Sequence, residues 1–131
     1  MINTDLKSTN AELSLHFPKT ARLLTSGDYS DVFQAVDLRV SSKHFLILAR
    51  GKSLPKARLG IIVAKKHVKL AVQRNRIKRL LRESFRLRHA SLPNLDMVVL
   101  AKKGIDRIDN SDCASELQYL WKKLSRKIDN A

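Results

Sequence analysis

The sequence predicts an α+β fold. It reads as a single-domain α/β sandwich in which a four-stranded mixed sheet packs with three helices, in the order αβββαβα. Three observations carry this. Four short runs are rich in Val, Ile, Leu and Phe and are bounded by Ser, Gly, Pro or Asn, as strands are. Two longer stretches, 71–88 and 110–127, repeat apolar residues at helical spacing. A chain of 131 residues with 44% hydrophobic content suits one domain with a modest core, and with only 5% aromatics that core must be mostly aliphatic.

Residues 1–16 are polar and weakly patterned and read as a flexible arm, with the domain running over 17–131. The first residues lack a basic start followed by an apolar core, so no secretory signal is expected. No apolar run approaches the ~18 residues that span a bilayer. Thr25-Ser26-Gly27-Asp28 has the Thr-x-x-Asp spacing of a capping box, so a helix is expected over about 26–35. Tyr29 and Phe33, four apart, share one face, while Val32, Ala35 and Val36 lie mostly on another. Both rings suit a core. Two such faces exceed what a small core requires, so one is available to stack unpaired bases.

Strands are expected at Asp37–Val40, Lys43–Arg50, Arg58–Ala64 and Asp96–Ala101. The unbroken apolar run of the third suggests a central strand buried on both faces. His44 suits a strand surface better than a ligand role. Pro55 marks a turn, and Ser91-Leu92-Pro93-Asn94 is a breaker. The third and fourth strands each end in a lysine pair, Lys65-Lys66 and Lys102-Lys103, which places charge at the sheet ends. Asp109-Asn110-Ser111 offers caps for a last helix to about Lys127. Its apolar stripe is Leu117, Leu120, Trp121, Leu124 and Ile128, with Trp121 read as core.

The helix at 71–88 carries the chemistry. From Lys65 to Arg88 there are ten Lys or Arg against one acidic residue, Glu83, which leaves +9 of the chain's +14 on one element. Such concentration separates a polyanion site from a generally basic surface. At about 100° per residue, Ile77, Leu80, Leu81, Ser84 and Phe85 share one side, and Asn75, Lys78, Arg79, Arg82 and Arg86 the other. Arg74 projects toward the apolar side, but from the first turn it can reach past the helix end. Cations at a helix N-terminus are destabilising by roughly 0.3–1 kcal/mol each. Arg74, Arg76, Lys65, Lys66 and Lys69 gather there nonetheless. A phosphate would resolve the conflict by taking the spare N–H groups, the dipole and the Arg forks together. A solvated charged face is the plainer reading, and nearly unopposed charge on one face favours nucleic acid over it.

The run Ala71-Val72-Gln73-Arg74-Asn75-Arg76-Ile77-Lys78-Arg79-Leu80-Leu81-Arg82-Glu83-Ser84-Phe85-Arg86 resembles the signature helix of the bacterial ribonuclease P protein subunit. The resemblance extends to FPKTARLLTSGDYSDVF, RLGIIVAKKHVK and DMVVLAKKG, and covers most of the chain from about Phe17 to the final helix. It implies a ribosomal protein S5 domain 2-like fold with a left-handed βαβ crossover, where the general rule alone would give a right-handed one. It also implies a subunit of a ribonucleoprotein endonuclease that removes the 5′ leader of precursor tRNA. In that enzyme the catalytic centre belongs to the RNA, and Mg²⁺ is required by the holoenzyme. By the same resemblance Arg74, Arg76, Lys78, Arg79, Arg82 and Arg86, with Asn75, would contact the catalytic RNA. Lys65, Lys66 and Lys69 would neutralise nearby phosphates. Tyr29, Phe33 and Phe45 would line a groove for the single-stranded leader. On this reading Arg76→Ala lowers the salt slope of log affinity by about 1.

A catalytic centre in the protein itself is not expected. A metal-dependent nuclease gathers carboxylates, yet between Arg39 and Leu95 the only acidic residue is Glu83, which suits an ion pair orienting Arg79 or Arg86. His16, His44, His67 and His89 share no metal-ligand spacing, so no protein-bound metal or cofactor is expected. Cys113 is the single cysteine, which excludes an internal disulfide and suits a reduced, cytoplasmic setting and an inert thiol. The expected partners are the catalytic RNA and the precursor leader, with no membrane and no obligate protein partner. The alternative is a stand-alone structural RNA-binding protein, such as a ribosome-associated one. A helix-in-groove DNA reader ranks third, because strands rather than a second helix flank the basic helix.

Overall fold

Alternation decides how the layers of this protein assemble. The computed structural model describes residues 22–23, 25–51, 57–88, 92 and 95–129. The N-terminal arm, the domain start at 17, the turn at 52–56 and most of the 91–94 breaker lie outside the described residues. The elements are α1 (Ser26–Gln34), β1 (Leu38–Ser41), β2 (Phe45–Gly51), β3 (Arg58–Ile62), α2 (Ala71–Arg88), β4 (Leu95–Ala101), a 3-10 turn (Ile105–Arg107) and α3 (Asn110–Asp129). This is the expected αβββαβα order. The sheet runs β1-β2-β4-β3, with β1–β2 and β2–β4 antiparallel and β3–β4 parallel. The helix α2 therefore links two neighbouring parallel strands.

The central position expected for β3 is not observed, since β2 and β4 hold the centre and β3 lies at the end of the strand order. Its apolar run has a different cause. Leu59 is buried in the main core, and residues 22–23 run beside the strand, where the Leu23 N–H donates to the Leu59 carbonyl at 3.0 Å. At the opposite edge, Lys127 Nζ donates to the Arg39 carbonyl at 2.7 Å and Lys123 Nζ to the Ser41 carbonyl at 3.3 Å. These lysines cover part of the free edge of β1, where exposed carbonyls invite strand addition.

Successive strand residues point to opposite faces. Phe45, Ile47 and Ala49 of β2 and Leu95, Met97, Val99 and Ala101 of β4 pack with α2 and α3 in the main core. Trp121 of α3 anchors that layer: its ring meets Phe85 at 6.2 Å between centroids, and its Nε1 donates to Ser84 Oγ at 2.7 Å. On the other face Leu48 and Val98 pack with Leu23 and with Val32 of α1 in a smaller core. The sheet is thus sandwiched between α2 and α3 on one side and α1 on the other.

Local chemistry fixes the ends. The Thr25 hydroxyl accepts the Asp28 N–H, and the Asp28 carboxylate accepts the Thr25 N–H, each at 3.1 Å, so the expected capping box is present. Asp109 Oδ1 accepts the Asp112 N–H at 2.8 Å at the start of α3. Asp96 is fully buried on the α1 side of β4, and the Arg58 guanidinium grips it with two bonds of 2.9 and 2.8 Å. His44 is not the surface residue expected. It is only 9% exposed, because Glu116 of α3 accepts both its backbone N–H and a bond from Nδ1, each at 2.8 Å.

Candidate nucleic-acid interface

Helix α2 buries Ile77, Leu81 and Phe85 and turns its basic side outward. That arrangement follows from sequence spacing, yet the cations divide in a way their number does not show. Asn75, Arg79 and Arg82 are exposed and Lys78 is half-buried. Among the described residues no carboxylate pairs with Lys78, Arg79 or Arg82. Three arginines are committed within the protein. Arg74 Nη1 reaches back past the helix end to the Val68 and Lys69 carbonyls, at 3.0 and 2.9 Å. Arg76 donates to Gln73 Oε1 at 2.8 Å, Asn110 Oδ1 at 2.5 Å and the Ile108 carbonyl at 3.3 Å, which clasps α2 to the start of α3. Arg86 is paired with Glu83, three residues back on the same helix. Glu83 therefore orients Arg86 and not Arg79. Sequence reasoning missed Gln73 and Asn110 as holders of Arg76. Asn110 stood out only as a cap candidate, and its distance along the chain gives no pairing signal.

Lys65, Lys66 and Lys69 are exposed in the connection between β3 and α2. Because β3 and β4 are parallel, their two lysine pairs lie at the same end of the sheet. Lys102 is held there by the Ser42 carbonyl at 2.7 Å, whereas Lys103 is exposed.

A second surface lies between α1 and the sheet. Tyr29 is half-buried, and its hydroxyl accepts the Ile61 N–H at 3.2 Å. Its ring lies so close to β3 that a Cβ at position 60 would stand 2.6 Å from it, so only glycine fits at Gly60. Phe33, one turn further along α1, is 43% exposed. The half-buried Leu46, Ile62 and Leu100 supply apolar floor beside the smaller core. Phe45 does not join them. It is fully buried in the main core, because strand alternation turns it toward α2 and α3 and away from α1. The neighbouring Leu46 takes the groove side instead. Period-two alternation was legible in the sequence, but not which face α1 would cover.

Among the described residues no three His, Cys, Asp or Glu side chains gather as a divalent cation requires. Ser42 and His44 both bond to Glu116, so the carboxylate, and not the imidazole, takes the hydroxyl. That is not the arrangement that activates a serine nucleophile. Burial works to raise the Glu116 pKa, but the hydrogen bonds from Ser42 and His44 outweigh it and hold the carboxyl below its ordinary value. Burial pushes the Cys113 thiol up to about 11, with Arg76 opposing weakly and Glu116 adding to the rise, so the thiolate is suppressed at neutral pH. No described helix is long and apolar enough to cross a membrane.

The family model for Ribonuclease P matches residues 17–125. The ribonuclease P protein component of Marinobacter nauticus is 52% identical over 114 residues, covering 87% of this chain and 86% of that one. The corresponding protein of Pseudomonas aeruginosa is 46% identical over 114 residues, covering 87% and 84%. Among solved structures, the RNase P protein of Staphylococcus aureus superposes with a TM-score of 0.74 at 26% identity, covering 79% of this chain and 94% of that one. The RNase P protein of Thermotoga maritima gives 0.67 at 30% identity, covering 78% and 96%.

Proposed function

The chain belongs to the ribonuclease P protein family and is the protein subunit of an RNA-partnered ribonuclease, and from that premise we propose how its two surfaces divide the work. The outward side of α2 grips the catalytic RNA. Lys78, Arg79 and Arg82 meet phosphates, Asn75 adds hydrogen bonds, and Lys65, Lys66 and Lys69 extend the contact. Arg74, Arg76 and Arg86 lend their charge while their guanidinium groups hold the helix and its neighbours in place. The groove between α1 and the sheet takes the 5′ leader of precursor tRNA, with Tyr29 and Phe33 as stacking surfaces. Stacking on rings is tolerant of sequence because every base has a π-face.

The observation that carries this reading is the ridge of Lys78, Arg79 and Arg82, cations with no carboxylate partner among the described residues. The one carboxylate of α2 is consumed by Arg86. The described side chains do not suit Mg²⁺, so no step runs through a protein-held ion. Mg²⁺ belongs to the RNA on this reading. The protein acts by screening: cations between two polyanions replace counterions that would otherwise condense there, so cleavage proceeds at lower Mg²⁺. The stand-alone structural RNA-binding protein finds no support in the family match.

The test is cleavage of precursor tRNA at low Mg²⁺ by a bacterial ribonuclease P RNA, with and without the protein. Protein-dependent production of mature 5′ ends is expected, with tighter binding of substrate that carries a leader of several nucleotides. Equal binding of leader-bearing and leaderless substrate would remove the groove from the reading. Cleavage by the protein without RNA would overturn the division of labour.

A further inference from the structure

The open floor of the α1 groove is a row of side chains that crosses the sheet. Strand pairing sets Ile62 beside Leu100, Leu100 beside Leu46 and Leu46 beside Ser41, and paired residues share a face. The row therefore runs from β3 over β4 and β2 to β1, about 14 Å at the usual strand spacing. Because β1 ends the strand order, the row leads to a free edge of the sheet. Cations gather at that edge. Arg39 pairs with Leu48 and so stands exposed on the α1 face. Lys43 is exposed in the connection between β1 and β2. Round the edge, α3 presents Lys123 and Lys127, about 6 Å apart along the helix axis. Tyr119, one turn earlier on α3, is 51% exposed.

We propose that this edge is a further single-stranded RNA site: the part of a precursor leader that extends beyond the groove turns round β1 and lies against α3. The proposal rests on the reading of the groove as the leader site, and it lengthens that site by Arg39, Lys43, Tyr119, Lys123 and Lys127. Among the described residues no carboxylate pairs with any of these four cations. Glu116 of α3 does not neutralise them, because Ser42 and His44 take it. Unpaired like charges along one edge repel one another, and a polyanion laid across them relieves that repulsion.

The two α3 ammonium groups are ordered before any ligand arrives. Lys123 Nζ donates to the Ser41 carbonyl at 3.3 Å and Lys127 Nζ to the Arg39 carbonyl at 2.7 Å. An ammonium has three donors, so each lysine spends one on the strand and keeps two for phosphate oxygens. Fixing long side chains in advance lowers the entropy cost of association. Lys123 Nζ also stands 5.5 Å from the centre of the Tyr119 ring. A stacking surface thus lies beside a phosphate donor, the combination that holds single strands with little regard to sequence. A sheet edge can instead receive a peptide by backbone pairing. Here two carbonyls of β1 are already taken by lysines and the surrounding charge is positive, so a polyanion fits this edge better than an added strand.

The experiment measures how the assembled holoenzyme binds precursor tRNA as a function of salt, with leaders of about 4 and about 12 nucleotides, lengths within the range of single-strand sites. Arg39→Ala/Lys43→Ala is the principal variant, because neither side chain makes a hydrogen bond or ion pair among the described residues. Tyr119→Ala is the second. Circular dichroism checks that each is folded. On the long leader the charge variant is expected to lower the salt slope of log affinity by about 1.4, for two single-strand phosphate contacts. Between about 50 and 200 mM salt the wild type then loses about sevenfold more affinity than the variant. Tyr119→Ala should weaken the long-leader complex by at least about fivefold. The short leader should show neither change. An equal loss on both leaders puts the charges to work elsewhere on the RNA and overturns the proposal. So does a long leader that binds the variants as it binds the wild type. In both cases tighter wild-type binding of the short leader than of leaderless tRNA keeps the groove reading intact. Wild-type binding that ignores the leader altogether overturns both.

Discussion

Replacing Arg76 by alanine separates the two things an arginine on α2 can do. Its guanidinium joins α2 to the start of α3 through Asn110 Oδ1 and the Ile108 carbonyl, with Gln73 fixing the fork from one turn below. A hydrogen bond from a charged donor contributes about 1.5–3 kcal/mol when shielded. The Asn110 bond is exposed and the Gln73 bond is local to the helix, so each adds a few tenths. The Ile108 bond is long but half-buried. The loss is therefore about 2 kcal/mol, which for a domain of this size lowers Tm by roughly 8 °C. Arg79→Ala is the comparison. It removes an exposed side chain, so its stability change stays within about 0.5 kcal/mol, while the salt slope of RNA binding falls by about 1. Thermal melts and salt titrations on both variants decide the matter. An Arg76 variant that melts with the wild type and loses a full unit of slope would refute the clasp and restore Arg76 as a free phosphate contact, as charge counting alone suggests.

Three further outcomes follow from the packing. Gly60→Ala places a methyl where the Tyr29 ring stands, so the ring must swing away; urea melts should show a loss of about 1–3 kcal/mol, and affinity for the leader should fall more than affinity for the catalytic RNA. Asp96→Ala strips the buried partner from Arg58 and should lose about 3 kcal/mol in the same assay; a loss under about 1 kcal/mol would show that the pair is dispensable. Glu116 has a lowered folded pKa, so its stabilisation is fully present above the ordinary carboxylate range of about 4.3 and is lost as pH falls through the folded value. Glu116→Gln should accordingly flatten the acid limb of a stability–pH profile, and an unchanged limb would remove the Ser42–His44–Glu116 cluster from that role.

Much of this protein is written locally. The Thr25–Asp28 box starts α1 because the two groups that bond are three residues apart. The basic and apolar sides of α2 separate because 3.6-residue periodicity operates within one element. Element order, the charged helix and the family resemblance all depend on near neighbours in sequence, and all were legible without coordinates. Which strand lies at the edge was not legible, since the apolar run of β3 can be covered by a neighbouring strand or, as here, by residues 22–23.

The same limit governs the site. Phe45 and Leu46 are adjacent and both apolar, and their opposite fates depend on which face of the sheet receives α1. His44 is drawn inward by Glu116, 72 residues away. Arg76 and Arg79 are indistinguishable in a charge count, yet one is tied to Asn110 and the other is exposed. By itself the sequence determined that the chain carries a concentrated basic helix, and where along its length that helix runs. Only the tertiary structure decided which of those charges remain available to an RNA, because a hydrogen bond depends on distance in space and a residue's partner can lie anywhere along the chain.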